Sequence, residues 1–212
     1  MVGGWQLPRI GTVESPLRMA IFISGSGSGM DVLLHHQKRA ESLHKTVIVI
    51  CDKDNAEGII KAQNHGIETE IIAVPAHSDS QQRRILHEEI IQNVLDKHAV
   101  EVIILSGYMR ILTGSFVENW LGRMLNIHPS LLPKYPGAHA HRDALADGAT
   151  ESGCTIHFVE VGVDSGPIIA QGEVPILPGD DEQSLTARVK TIEHILYPQV
   201  VDELAKGNIK SP

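Results

Sequence analysis

Short apolar runs that stop at glycine- or aspartate-rich turns, each followed by a helical pattern, constrain this chain more than any other feature. Met19-Ala20-Ile21-Phe22-Ile23 runs into Ser24-Gly25-Ser26-Gly27-Ser28-Gly29, and a helix opens directly from that loop at Met30 and extends to about Ala40. Val47-Ile48-Val49-Ile50 halts at Asp52-Lys53-Asp54-Asn55, with a short helix around Ala56 to Asn64 and a third strand from Thr69 to Val74. Leu86, Ile90, Ile91, Val94 and Leu95 then recur at helical spacing before the strand Val100-Glu101-Val102-Ile103-Ile104-Leu105. Strands apolar on both faces that alternate with helices form βαβ units, in a mostly parallel twisted sheet with helices on both faces.

The second half changes character. Gly122 to Ile127, Cys154 to Val161 and Pro167 to Pro175 are strand candidates joined by loops, and they extend the sheet with antiparallel pairing. A final helix, about Asp181 to Ala205, turns Leu185, Val189, Ile192 and Leu196 toward the core. No linker or repeat interrupts the pattern, so residues 18–212 are expected to form a single domain. Residues 1–17, with Gly3-Gly4, Pro8 and Pro16 but no basic stretch leading into an apolar one, read as a loose N-terminal extension or leader and not as a signal peptide.

Composition limits the function classes. A net charge of −8 argues against binding a phosphate backbone, although a local site on an acidic protein can still take a small anion. No apolar run approaches the roughly 18 residues that span a bilayer. Cys51 and Cys154 are far apart, have no metal-like spacing and read as buried reduced thiols, which fits a cytoplasmic protein.

The chemistry-bearing residues cluster in the middle of the chain. In Asn126-Ile127-His128-Pro129-Ser130, an amide and an imidazole stand two residues apart at the end of a strand, so both point to one face. A fixed donor beside a proton-exchanging ring suits an oxyanion at a carbonyl centre. Asp164, in Asp164-Ser165-Gly166-Pro167, could bring a carboxylate to the same place or be an ordinary turn aspartate. The Gly25–Gly29 loop offers backbone N–H groups to an anion at a helix N-terminus, yet it fits no nucleotide fingerprint: Met30 stands where a dinucleotide motif needs glycine. Asp52 at the end of the second strand keeps a dinucleotide-dependent oxidoreductase open as an alternative. His139-Ala140-His141 and Cys154 with His157 invite a metal reading, but no three or four of them have zinc-like spacing, and no metal is expected.

In order along the chain, Ile23-Ser24-Gly25-Ser26-Gly27-Ser28, Gly107-Tyr108-Met109-Arg110-Ile111-Leu112, Asn126-Ile127-His128-Pro129-Ser130-Leu131-Leu132-Pro133, Lys134-Tyr135-Pro136-Gly137, His157-Phe158-Val159, Asp164-Ser165-Gly166-Pro167 and Thr186-Ala187-Arg188-Val189 resemble the phosphoribosylglycinamide formyltransferases, folate-dependent enzymes of purine synthesis. The resemblance runs from about Met19 to the end of the last helix and implies the Rossmann-like formyltransferase fold. It implies formyl transfer from 10-formyltetrahydrofolate, as co-substrate, to the amine of 5-phospho-ribosyl-glycinamide. His128, Asn126 and Asp164 match the catalytic residues, and Gly27, Ser28 and Gly29 the phosphate-binding turn. Lys190 and Glu193 match the glycinamide-substrate stretch, although on a helix they could equally be a surface pair. Met109, Arg110, Ile111 and Leu112 match one folate-holding segment, and Glu160, Val161, Gly162, Val163 and Asp164 another, with Asn126 between them. The folate-reaching arginine aligns with Arg84, with Arg83 or Gln81 as other registers, and His139 and His157 match supporting histidines. Family members usually carry asparagine at Gly29, so here the backbone N–H must suffice.

The resemblance further implies small-molecule partners only, with no nucleic acid or membrane, and a monomer or homodimer in the cytoplasm. Within the same fold, a 10-formyltetrahydrofolate hydrolase would deliver the formyl group to water. A methionyl-tRNA formyltransferase would need a further tRNA-binding domain and a basic surface. A folate- or nucleotide-binding module would need no Asn126, His128 and Asp164 set.

Overall fold

A computed structural model describes residues 4–212. Its strands are Leu17–Ile23 (β1), His44–Cys51 (β2), Thr69–Ile71 (β3), Val102–Leu105 (β4), Met124–His128 (β5), Glu151–Phe158 (β6) and Ile168–Pro175 (β7). Its helices are Ser28–His36 (α1), Glu57–Asn64 (α2), Ser80–Lys97 (α3), Gly114–Asn119 (α4), Ala140–Ala146 (α5) and Glu182–Ala205 (α6). The strands make one sheet in the order β3-β2-β1-β4-β5-β6-β7. β1 pairs in parallel with β2 on one side and β4 on the other, so the winding reverses between β1 and β4. A reversal of this kind opens a crevice beyond the carboxyl ends of the strands, where ligands of such sheets bind. β5 continues the parallel set beside β4, and β6 and β7 add antiparallel strands.

The unbroken apolar runs serve two cores. On one face Met19, Ile21 and Ile23 of β1 join Val49, Ile104 and Leu125 under α1, α2 and α6. On the other, Ala20 and Phe22 join Ile48, Ile50, Ile103 and Met124 under α3 and α4. Alternate residues of one strand thus enter opposite cores. Leu185 and Val189 of α6 cover Cys154 in a third cluster. Both cysteines are buried and unpaired.

Two helices have no counterpart in the sequence reading. α4 and α5 span six and seven residues, too short for an apolar period to show, and α4 starts where the Thr113 side chain accepts the Phe116 N–H. α1 stops at His36 and not near Ala40, because Gln37 turns its side-chain oxygen back to accept from the Thr46 N–H and hydroxyl. β3 ends at Ile71, with Pro75 soon after to prevent further pairing.

The segment before β1, expected to be loose, is bound to the sheet over its described residues. Trp5 packs edge-on against Phe158 with ring centroids 5.3 Å apart. The Gln6 N–H donates to the Leu121 carbonyl at 3.1 Å, and Arg9 forks onto Glu101 at 2.6 and 2.8 Å. The Gly11 N–H donates to the Ala205 carbonyl at 2.8 Å, and a Cβ at Gly11 would stand 2.0 Å from the Leu43 carbonyl oxygen. Only glycine permits that approach. Residues 1–3 of the expected leader lie outside the described residues.

Candidate active site

Asn126 and His128 leave β5 on one face, and β6 brings His157 opposite Asn126 and Thr155 opposite His128. The loop after β6 then returns Asp164 over this pair. Its Oδ2 lies 3.2 Å from His128 Nδ1, and its Oδ1 accepts from Asn126 Nδ2 at 3.3 Å. The Gly137 N–H donates to Asp164 Oδ2 at 2.8 Å, which ties the proline-rich loop after β5 to the same carboxylate. Asp164 adopts φ 50, a left-handed conformation that aspartate tolerates better than most residues.

The hydrogen bonds assign protons. His128 Nε2 sits 2.8 Å from the Tyr135 carbonyl oxygen, which can only accept, so that nitrogen carries a proton. Its Nδ1 faces the Asp164 carboxylate at 3.2 Å, a contact that becomes an ion pair when the ring is charged. His157 Nδ1 donates to the Phe158 carbonyl at 2.8 Å, and its Nε2 lies 3.2 Å from Asn126 Nδ2 and 3.7 Å from Asp164 Oδ1. Burial works to raise the Asp164 carboxyl. The approach of His157, the Gly137 amide and the charge on His128 outweigh it and hold the group below the usual aspartate range. His128 is buried, whereas Asn126 is half-exposed and its two donor contacts are long, so Asn126 is the freer donor toward a ligand.

Two walls flank this cluster. The loop after β4 exposes Met109 and Ile111 at 66 % and 61 %, and the loop after β6 exposes Val161 and Val163 at 60 % and 55 %. A Cβ at Gly114 would stand 3.6 Å from Val161 Cγ2, so the loops approach one another where α4 begins. Four exposed aliphatic side chains on two converging loops make an apolar surface suited to a flat ligand. Leu112 packs into the core beneath, Glu160 is half-buried, and Gly162 takes φ 133. On the crevice side, Gly27 takes φ 64 ahead of α1, and a Cβ there would lie 2.8 Å from Gly58 Cα, so the turn requires glycine. It leaves the N–H groups of Ser28, Gly29 and Met30 ahead of the first helical bond, from the Asp31 N–H to the Gly27 carbonyl at 2.9 Å.

A sequence profile described as Formyl transferase matches residues 17–201. This chain belongs to the formyl transferase family. It is 40 % identical over 196 residues to phosphoribosylglycinamide formyltransferase of Escherichia coli (strain K12), covering 92 % of this chain and 90 % of that protein. It is 44 % identical over 192 residues to the Trifunctional purine biosynthetic protein adenosine-3 of Drosophila melanogaster, covering 90 % of this chain but only 14 % of that longer protein. Among solved structures, phosphoribosylglycinamide formyltransferase from Brucella melitensis superposes with a TM-score of 0.83 at 41 % identity, over 93 % of this chain and all of that one.

The remaining expected site residues of this formyl transferase fall on both sides of the cluster. Lys190 and Glu193 lie on α6, with Lys190 exposed, and no ion pair joins them among the described residues. Burial pushes the Glu193 carboxyl up to about 7, with Lys190 opposing, and burial with Glu193 nearby pushes the Cys154 thiol up to about 12. Arg84 is exposed on α3, one turn before Glu88, and the buried Glu88 accepts from the Thr113 N–H at 2.6 Å and from the Thr113 hydroxyl. The i, i+4 relation places Arg84 on the side of α3 that meets the end of the 107–113 loop. Arg83 and Gln81 are also exposed on the first turns of α3.

Arg110 donates from Nε to Asp52 Oδ2 at 2.5 Å, and the Asp52 side chain is fully buried. Asp52 is therefore engaged within the protein, not presented to a ribose as the dinucleotide alternative requires. His139 is exposed at the start of α5, while His141 sits close enough to His128 and Lys190 to respond to their charges; burial, then those cations against Glu182, lower its pKa. In the sequence, His139-Ala140-His141 suggests only a metal ligand, and the proximity of His141 to His128 needs α5, whose seven residues are too few to show an apolar period. Cys154 and His157 point to opposite faces of β6. Among the described residues, two further His/Asp groups gather away from this site: Asp31 with His35 and His65, and His36 with His44 and Asp202. In the second, Arg39 also binds Asp202 at 2.8 Å, which makes it an ion-pair network. The site residues that sequence reasoning missed are mostly backbone: the Tyr135 carbonyl and the Gly137 N–H.

Proposed function

We propose that this chain transfers the formyl group of 10-formyltetrahydrofolate to the amine of 5-phospho-ribosyl-glycinamide, giving formylglycinamide ribonucleotide and tetrahydrofolate in purine synthesis. The observation that carries the reading is the meeting of Asn126, His128 and Asp164 at 3.2–3.3 Å, on strand ends, beside an exposed apolar cleft. The resemblance to named enzymes of this activity over nearly the whole chain supports the same substrates.

In this reading the folate lies between Met109–Leu112 and Glu160–Asp164, with Arg84 and Arg110 toward its anionic tail. The Gly27, Ser28 and Gly29 turn holds the phosphate of the amine substrate, and Lys190 and Glu193 hold its sugar-glycinamide end. The amine attacks the formyl carbon and gives a tetrahedral oxyanion. Asn126 redirects one N–H from its long contacts to that oxygen, and the charged His128 stabilises it electrostatically. Asp164 keeps His128 charged and oriented, and a water held at its carboxylate carries the proton lost by the attacking nitrogen to the departing folate nitrogen. No covalent enzyme intermediate is needed.

Residues 18–212 act as one formyltransferase domain in this reading, cytoplasmic, as a monomer or homodimer, with small molecules as partners. No described helix is long and apolar enough to cross a membrane. The test mixes the protein with 10-formyltetrahydrofolate, with and without the glycinamide substrate, and follows tetrahydrofolate. Release only with the amine is expected. Release without it indicates a hydrolase, and none in either case a binding module.

A further inference from the structure

Gly29 is the second residue of α1 and brings no side chain to the anion turn. A Cβ built there would lie 2.8 Å from Ser106 Oγ. Because the Cα–Cβ bonds of a helix tilt toward its N-terminus, that distance puts the Ser106 hydroxyl beside the mouth of α1, next to its free N–H groups. The backbone around Ser106 is fixed in the crevice between β1 and β4: its N–H donates to the Phe22 carbonyl at 2.9 Å, and the next carbonyl, of Gly107, accepts from the Ser24 N–H at 3.2 Å. Its hydroxyl has no hydrogen-bond partner among the described residues, although the neighbouring Ser24 hydroxyl is already committed to the Met109 N–H at 2.8 Å.

We propose that Ser106 is a further ligand of the substrate's phosphomonoester, its hydroxyl donating to an oxygen held on the Gly27–Gly29 turn. The proposal rests on the phosphate reading of that turn. The absence of a Cβ at Gly29 is what makes room for the hydroxyl, so the two positions act as one device: a side chain is withdrawn from the helix and a donor is supplied from the neighbouring strand. Ser106 adds a neutral donor, and so grips the anion without a charge that titrates near neutral pH.

The experiment measures KM and kcat of wild type and Ser106→Ala with the phosphorylated amine and with the same glycinamide riboside lacking phosphate. A hydrogen bond to a charged group, once lost, raises KM by about tenfold or more. The expected result is that rise for the phosphorylated amine alone, with kcat, the folate KM and the riboside KM unchanged. Thermal stabilisation by inorganic phosphate should shrink in parallel, which reads binding without turnover. If wild type treats the two amines alike, the phosphate reading of the turn is wrong. If wild type prefers the phosphorylated amine but Ser106→Ala keeps that preference and the phosphate response, Ser106 is not a ligand.

Discussion

Asp164→Asn isolates the charge at the centre of the site with little change in shape. Asparagine tolerates the positive φ of this position at least as well as aspartate, so the backbone has no reason to move. The hydrogen bonds do. Asp164 Oδ2 accepts from the Gly137 N–H at 2.8 Å and faces His128 Nδ1 at 3.2 Å, while Oδ1 accepts from Asn126. An amide has one acceptor and one donor end. Turned one way its NH₂ opposes Gly137 and His128; turned the other it opposes the NH₂ of Asn126. Either orientation leaves a donor unsatisfied and removes the negative charge that faces the His128 imidazole. Together these cost about 3–4 kcal/mol in the transition state, or roughly 10²–10³ in kcat. Steady-state kinetics should show that loss in kcat, with the KM for the glycinamide substrate changed by less than about threefold. Stability adds a second reading. A depressed carboxyl stabilises the fold fully above its unfolded-state pKa and loses that contribution as pH falls through the folded value. The Tm gap between wild type and variant should therefore close on acidification. A kcat within about threefold of wild type would refute the role given to Asp164.

Three further outcomes follow from the geometry. Gly27→Ala forces a side chain onto φ 64 and within 2.8 Å of Gly58 Cα, so it should raise the KM for the phosphorylated amine more than tenfold and lower the melting temperature by several degrees. Glu193, pushed up to about 7, holds its proton more tightly folded than unfolded, so wild-type stability should fall as pH rises from the ordinary carboxylate range through about 7. Glu193→Gln should flatten that fall and gain about 2 kcal/mol at alkaline pH, allowing for water at the half-buried group, as read by thermal melts across pH. Trp5→Ala should cost about 2 kcal/mol by chemical denaturation while leaving kcat intact, because Trp5 packs on Phe158 away from the cleft.

The parallel half of the fold was legible because its strands are apolar on both faces and its turns are marked by glycine and aspartate. Asn126 and His128 were legible for a similar reason: the period of a strand fixes their common face. Asp164 was harder, since only the folded loop after β6 shows that it reaches His128 and is more than a turn residue. The Tyr135 carbonyl and Gly137 N–H carry no side-chain signature at all. His157 faces Asn126 through the antiparallel register of β5 and β6, which local patterns do not determine. The short α4 and α5 stayed hidden, and with α5 went the place of His141. The segment from Trp5 to Gly11 read as loose because its few apolar residues have no period, yet single contacts to scattered partners hold it.

The Gly11 to Ala205 hydrogen bond also says something about how this fold can be joined to others. It brings the strand-leading segment and the end of the last helix to one spot, and Arg9 with Glu101 places that spot at the start of β4, opposite the strand ends that carry Asn126 and His128. A polypeptide inserted at Gly11 or after Ala205 would lie behind the cleft, on the side of the sheet away from Asn126 and His128. Such a module can be fused or inserted without a neighbour obstructing its substrates, a useful property in a family whose relatives include trifunctional chains.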